Sequence, residues 1–226
     1  MLILKKTTIQ FLWVALFMVA CATDDDFGRN QPCISGEGSL TSEVFTLNSF
    51  SRIAFAVPGN LLLTQGATQS VEISAQPNIF NELIVRVVND ELQIELDRCV
   101  NNMTPLEIEV TIPDIEALSI TGTGSINAQN ALDVDNLSLS IAGVGDITLI
   151  GNADVFDIDI AGSAEIHTFD FEVDDCQIDI AGQATVEVNV TDVLTVNIAG
   201  SGTVFYKGDP TITSNISGSG MLVDSN

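Results

Sequence analysis

The sequence predicts an all-β protein, a parallel β-solenoid or β-helix of short coils of about 18–21 residues, entered through a more irregular N-terminal β region. Three observations predict it. A unit of the form apolar-x-apolar-x-Gly-x-small-x-apolar recurs six times after residue 113, with Ser214 replacing the first apolar residue in the last copy. Its first glycine returns after 21, 19, 20, 18 and 18 residues. Ahead of these units, short runs alternate apolar and polar residues with period two, and no convincing amphipathic helix appears.

From the N-terminus, Lys5 and Lys6 ahead of the apolar stretch Phe11 to Ala20 read as a signal peptide over residues 1–20. Its apolar run of about ten residues is half of what spans a bilayer. Met18-Val19-Ala20-Cys21 resembles the lipobox of bacterial lipoproteins, with Met18 in place of the usual Leu. The resemblance implies cleavage before Cys21, lipid attachment to that residue, and hence the membrane as a partner through the anchor. Several acyl chains, at about 0.8 kcal/mol per buried CH₂, hold where a single chain is marginal. Asp24, Asp25 and Asp26 resemble the surface-export signal of Bacteroidota lipoproteins, which implies an outer-membrane lipoprotein at the cell surface; a solvated linker on a periplasm-facing lipoprotein is the alternative. Residues 21–37, with Gly28, Pro32 and Gly36 and little apolar periodicity, read as the lipidated flexible tether. Residues 38–226 read as a single domain, 38–113 as irregular strands and 114–226 as the repeats.

After Cys21 there are five basic residues against thirty-one acidic ones, a net charge of −26. Arg29, Arg52, Arg86, Arg98 and Lys207 are too few and too scattered for a basic stripe, which excludes nucleic acid as a natural partner. The single Trp, Trp13, lies in the signal peptide and Tyr206 is the only Tyr, so little aromatic surface is left for stacking sugars or bases. In the alternation Cys176, Ile178, Ile180 the thiol points with two isoleucines, as a buried free cysteine would. Export permits disulfides, and Cys33 with Cys99 is then the candidate pair.

Between Ser39 and Pro113 the strand-like runs are Ile53-x-Phe55-x-Val57, Val71-x-Ile73, Leu92-x-Ile94-x-Leu96 and Leu106-x-Ile108-x-Val110-x-Ile112. Pro58-Gly59-Asn60, Gln65-Gly66 and Asn89-Asp90 separate them as turn signals, the last joining residues 83–88 and 91–96 in a hairpin. In the repeats, each unit offers an inward apolar strand, a glycine free to take positive φ at a corner, and an inward Ile or Val on the next face. No unit buries its apolar edge alone. Stacking coils about 4.8 Å apart pairs their backbones and packs like on like. The apolar offsets 0, 2 and 8 do not fit a hexapeptide helix, and a right-handed coil follows from the crossover preference.

The repeated Ile-x-Ile-Ala-Gly-x-Gly-x-Ile units, the entry Thr111-Ile112-Pro113, and the closing Tyr206-Lys207-Gly208-Asp209-Pro210 before Ile216-Ser217-Gly218-Ser219-Gly220 resemble the head GIN domain family, named for the heads of auto-transporter adhesins. The likeness runs from about Ser39 to Val223, and Phe50 to Gln65 also looks like the family's N-terminal part. It implies a cell-envelope β-solenoid with an unknown protein or glycan partner at the surface, and no catalytic residue to carry over. The lipobox departs from an auto-transporter, as does the lack of a C-terminal strand series for a membrane barrel.

The outward column of the repeats reads Ser119, Ser140, Asp159, Asp179, Asn197, Asn215. Stacked in register, Asp159 and Asp179 would lie one strand spacing apart with Asp157 beside them, a weak candidate site for Ca²⁺, which wants six or more oxygens. Two solvated aspartates are the simpler reading, and no cofactor is otherwise implied. The same pair could imitate a retaining glycosidase, whose carboxyls stand about 5 to 5.5 Å apart, but a ladder produces that spacing without chemistry. A lyase needs a base, and beyond residue 114 only His167 and Lys207 are basic; His167 has no Cys or His at ligand spacing and reads as a surface residue. Nucleophile elbow, phosphate loop and dinucleotide fingerprint are missing. The sequence therefore predicts a non-enzymatic binding or adhesion-like module, with a self-associating architectural protein, a homo-oligomer, as the alternative and a polysaccharide-degrading enzyme as the weakest.

Overall fold

The computed structural model describes residues 32–226; the expected signal peptide, Cys21 and the Asp24 to Asp26 run lie outside the described residues. Alternating sequence becomes strand after strand. β1 (Ile34–Ser35), β2 (Thr41–Phe45), β3 (Arg52–Phe55), β4 (Gly59–Gln65) and β5 (Ser70–Ala75) lead to one helical turn, α1 (Pro77–Phe80), which Pro77 opens. β6 (Leu83–Val88) and β7 (Glu91–Leu96) form the expected hairpin, with Asn89 and Asp90 both at positive φ (51° and 66°) as its two-residue turn requires. β8 (Val100–Asn101), β9 (Leu106–Ile112), β10 (Ala117–Ala128), β11 (Leu132–Thr148), β12 (Gly151–Gly200), β13 (Thr203–Lys207), β14 (Thr211–Gly218) and β15 (Met221–Asp224) complete the chain.

The chain is all-β, and most of its pairing is parallel. β10 pairs with β11 from Ala117↔Ser138 to Asn127↔Thr148, and β11 pairs with β12 from Leu132↔Gly151 to Thr148↔His167. β12 runs on for 50 residues and lies beside itself: the Thr168 hydroxyl donates to the Glu187 carbonyl, and the Gly162 carbonyl abuts Gly182. Its last part pairs with β13 and β14, and β13 with β15, all in parallel. Each repeat thus hydrogen-bonds to the next one along the chain.

The N-terminal region was expected to be irregular, yet much of it is built from the same unit. β3 and β4 pair in parallel with β10, placing Ile53 on Leu118, Phe55 on Ile120 and Leu61 on Ile126. β7 and β9 pair in turn with β3 and β4, through Leu92↔Ile53, Ile94↔Phe55 and Ile108↔Leu61. Ile94 and Leu106 are twelve residues apart where their partners Phe55 and Gly59 are four apart, so the corner of this tier carries an insertion. The order in space is therefore not the order in sequence. The 91–112 tier lies outside the 52–65 tier, and beyond it β5 adds to β9, β2 to β5, and β6 to β7, all antiparallel.

Inward columns form the core: Ile53, Leu118, Leu139, Ile158, Ile178 and Val196 are each at most 1% exposed, as are Ile126, Ile147, Ile166, Val186 and Val204. Each such side chain contributes roughly 1.5–3 kcal/mol by leaving water, and like residues on successive tiers fill one continuous cluster. Cys176 stands two residues ahead of Ile178, where Leu137, Phe156 and Leu194 stand in neighbouring repeats, and is buried and free as its alternation suggested. Phe156 meets Phe171 edge to face at 5.4 Å.

The tether was expected to extend to residue 37, but the structure corrects its end. Cys33 is disulfide-bonded to Cys99 with Cα atoms 4.6 Å apart, and Ile34–Ser35 pairs with Val100–Asn101. Asn78 then donates to the Ser35 carbonyl and accepts from the Glu37 amide. The segment short of apolar periodicity is thus held by a covalent bond and by polar contacts to the corner insertion and α1. No helix among the described residues is long and apolar enough to cross a membrane.

Candidate binding groove and the acidic columns

A groove of about 610 Å³ crosses the repeats at their glycine corners. Its origin is steric. At Gly162 the chain bends with φ of +149°, and a Cβ there would stand 2.1 Å from the Gly143 carbonyl oxygen, so only glycine fits both the dihedral and the gap. Two residues further on, the side chain points inward against the preceding strand: a Cβ on Gly145 would meet Ile141 at 2.9 Å, and the equivalent Ala164 and Ala184 are buried. The position between them points out, presenting Thr123, Val144, Ser163, Gln183 and Ser201 on successive tiers. Ser125, Asp146, Glu165, Thr185 and Thr203 form the second wall. Five tiers at about 4.8 Å make a trough roughly 20–25 Å long. It offers hydroxyls, one exposed apolar contact at Val144 (53%), and the carboxylates of Asp146 and Glu165 side by side in register.

The residues singled out in sequence lie elsewhere. Asp159 and Asp179 line a second depression of about 390 Å³, together with Ser140, Asn197 and Asn215 of the same column. Asp179 spends its oxygens on neighbours, accepting from Gln177 at 2.8 Å and from Asn197 at 2.8 Å. Asp157 lines a third depression instead, with Asp114, Glu116, Asp133 and Asp135. Among the described residues no three His, Cys, Asp or Glu side chains are grouped to hold a metal ion.

His167, read as a plain surface residue, is half-exposed and its Nδ1 lies 3.0 Å from Glu187 on the next tier. Lys207 reaches over the Phe169 ring at 4.2 Å. Both basic residues of the repeats are therefore engaged outside the groove. Burial pushes the Cys176 thiol far up from its ordinary range, and the nearby Asp157 carboxylate adds to that, so it is an inert core thiol and no nucleophile. The groove itself was missed because its residues are small and its glycines read only as corners; the recurrent outward hydroxyl between Gly and Gly or Ala was the available signal.

These features define a class: an all-β protein of stacked, mostly parallel repeats that exposes polar columns and shallow grooves. Within that class, residues 49–210 match the family model described as "putative auto-transporter adhesin, head GIN domain", and the chain belongs to this family. The fold is shared with solved structures. A protein from Bacteroides fragilis, titled a putative adhesin, is similar with a TM-score of 0.71 and 22% identity over 85% of this chain and 100% of its own. One from Parabacteroides distasonis, titled a putative lipid binding protein, gives 0.57 and 23% over 86% and 100%. One from Parabacteroides merdae, titled a putative adhesin, gives 0.50 and 20% over 85% and 99%. A search of curated proteins finds no match.

Proposed function

We propose that this chain is a non-enzymatic, adhesin-type binding module of the cell envelope, whose repeats wind as a β-solenoid and present the hydroxyl-lined groove to a protein or glycan partner. The single observation that carries the reading is that groove, which runs across the repeats of a chain belonging to an adhesin-head family. The solenoid is supported by uniformly parallel registers between successive repeats and by the aligned corner glycines. Attachment through Cys21 at the outer membrane, with Asp24 to Asp26 directing the domain to the surface, is supported by the sequence alone. The groove has hydrogen-bonding groups but no base next to its carboxylates, which favours recognition over turnover.

The test is binding of the full chain, in detergent, to arrays of immobilised polysaccharides and extracellular-matrix proteins, beside the double variant Val144→Lys, Ser163→Lys. Both positions point outward, so the thermal melt should hold while binding to the recognised surface falls about tenfold or more. Binding left unchanged by the variant, or depolymerisation of any polysaccharide on the array, would overturn the proposal.

A further inference from the structure

The terminal tier of the described residues, β14 and β15, has no neighbour on its outer side, and its composition departs from the rest of the molecule. Every residue of β14 is exposed. Ile212 and Ile216 are each 38% exposed and Met221 57%, whereas Leu194 and Ile198, their register partners one tier inward, are at most 1% exposed. From Thr211 to Val223 there is no charged residue and no Pro, in a chain with thirty-one Asp and Glu. The outward column loses its charge toward this end, passing from Asp159 and Asp179 to Asn197 and Asn215.

An edge strand usually carries Lys, Pro, an inward charge or a bulge that discourages another strand from adding to it. β14 carries none of the first three. The opposite end of the sheet is closed by antiparallel strands that do hold charges, Glu43 on β2 and Arg86 on β6. A head-to-tail stack would have to place β14 against that charged, antiparallel end. A two-fold arrangement instead brings one neutral edge against another and closes after two copies.

We infer that the terminal tier is a self-association surface for a second copy of this chain, with β14 pairing antiparallel to β14 of the other copy about a two-fold axis near Ser214 and Asn215. The acidic remainder of the chain opposes approach by any other route at neutral pH, and the charge-free β14 is where two copies meet without that repulsion. Pairing satisfies the free backbone groups of both edges and covers Ile212 and Ile216 as their partners within the sheet are covered. Asn215, both donor and acceptor, is complementary to its own copy. The inference is independent of what the groove binds, since the groove opens at the corners and not at the end of the stack.

The test is sedimentation of the full chain in detergent between about 1 and 100 µM, a range that brackets the affinities of small interfaces. A dimer is expected, and Ile216→Lys should weaken it by about a hundredfold or more while the monomer stays folded with only a modestly lower thermal melt, because that side chain is 38% exposed at the edge. Asn215→Cys, under mild oxidation, should give a covalent dimer that Val144→Cys does not. A monomer throughout the range, an open-ended series of oligomers, or a dimer indifferent to Ile216→Lys would each overturn the inference.

Discussion

The two ends of the sheet are finished in different ways. At one, three antiparallel strands close the stack, charged residues stand on them, and the Cys33–Cys99 disulfide fastens the entering chain to the corner insertion. At the other, β14 and β15 are laid on the preceding tier in the same parallel register as all the repeats before them, and nothing among the described residues covers them. A stack of repeats gains its stability from neighbours on both sides of each tier, so a terminal tier must be capped or must share its edge. The comparison teaches that one end is finished by antiparallel, charged strands while the other ends, among the described residues, on a neutral strand edge.

The largest expected effect comes from the interior against which both ends are judged. Gly162→Ala must hold a Cβ at strongly positive φ and 2.1 Å from the Gly143 oxygen, and should cost about 4 kcal/mol or prevent folding. Gly122→Ala, on the first repeat, meets nothing within 4 Å and carries only the dihedral cost at φ +107°, about 1–2 kcal/mol. Denaturant unfolding of the two variants side by side checks this, and equal losses would mean that the glycine column is not set by contact between tiers.

Next is the closed end. Cys99→Ser opens a bridge whose cysteines are 66 residues apart in sequence and should cost about 4 kcal/mol by loop-closure entropy. The measurement is denaturant unfolding, with reductant lowering the parent to the same midpoint. At the open end, Leu194→Ala and Ile212→Ala truncate register partners on adjacent tiers, one fully buried and one 38% exposed. About 3 kcal/mol is expected for the first and about 1 kcal/mol for the second, measured at a concentration where the chain is monomeric. A smaller contrast would show that the terminal tier is already covered.

The smallest effect tests the buried thiol. Because Cys176 ionises less readily in the folded chain than in the unfolded one, its contribution is complete below the unfolded pKa of about 8.5 and declines above it. Stability should fall about 1.4 kcal/mol per pH unit more steeply above pH 8.5 in the parent than in Cys176→Ala. Parallel pH slopes would place the thiol in contact with water.

The sequence made the six later repeats plain, since Leu139, Ile141 and Ile147 keep the same offsets as Ile158, Ile160 and Ile166 and each set frames a glycine. It concealed two more. In the 52–65 tier the offsets 0, 2 and 8 are present at Ile53, Phe55 and Leu61, but Val57 stands where the first corner glycine belongs. In the 91–112 tier the insertion carrying Cys99 separates the two halves, so no fixed spacing survives. Nor does periodicity state that the later tier stacks outside the earlier one, because that order depends on which edge was free when the strand returned. For the site, sequence drew attention to Asp157, Asp159 and Asp179, whose charges are conspicuous. The groove rests on residues whose importance is their smallness, Gly145, Ala164 and Ser163 among them, and smallness becomes a feature only when tiers are stacked.

The central claim, a binding module displayed outside the cell, is tested most directly by antibody labelling of intact cells that produce the full chain, with Asp24, Asp25 and Asp26 changed together to Ala as the comparison. The account predicts that the parent is labelled on intact cells and that the variant is labelled only after the outer membrane is permeabilised. A parent that is never labelled until the membrane is opened would contradict it.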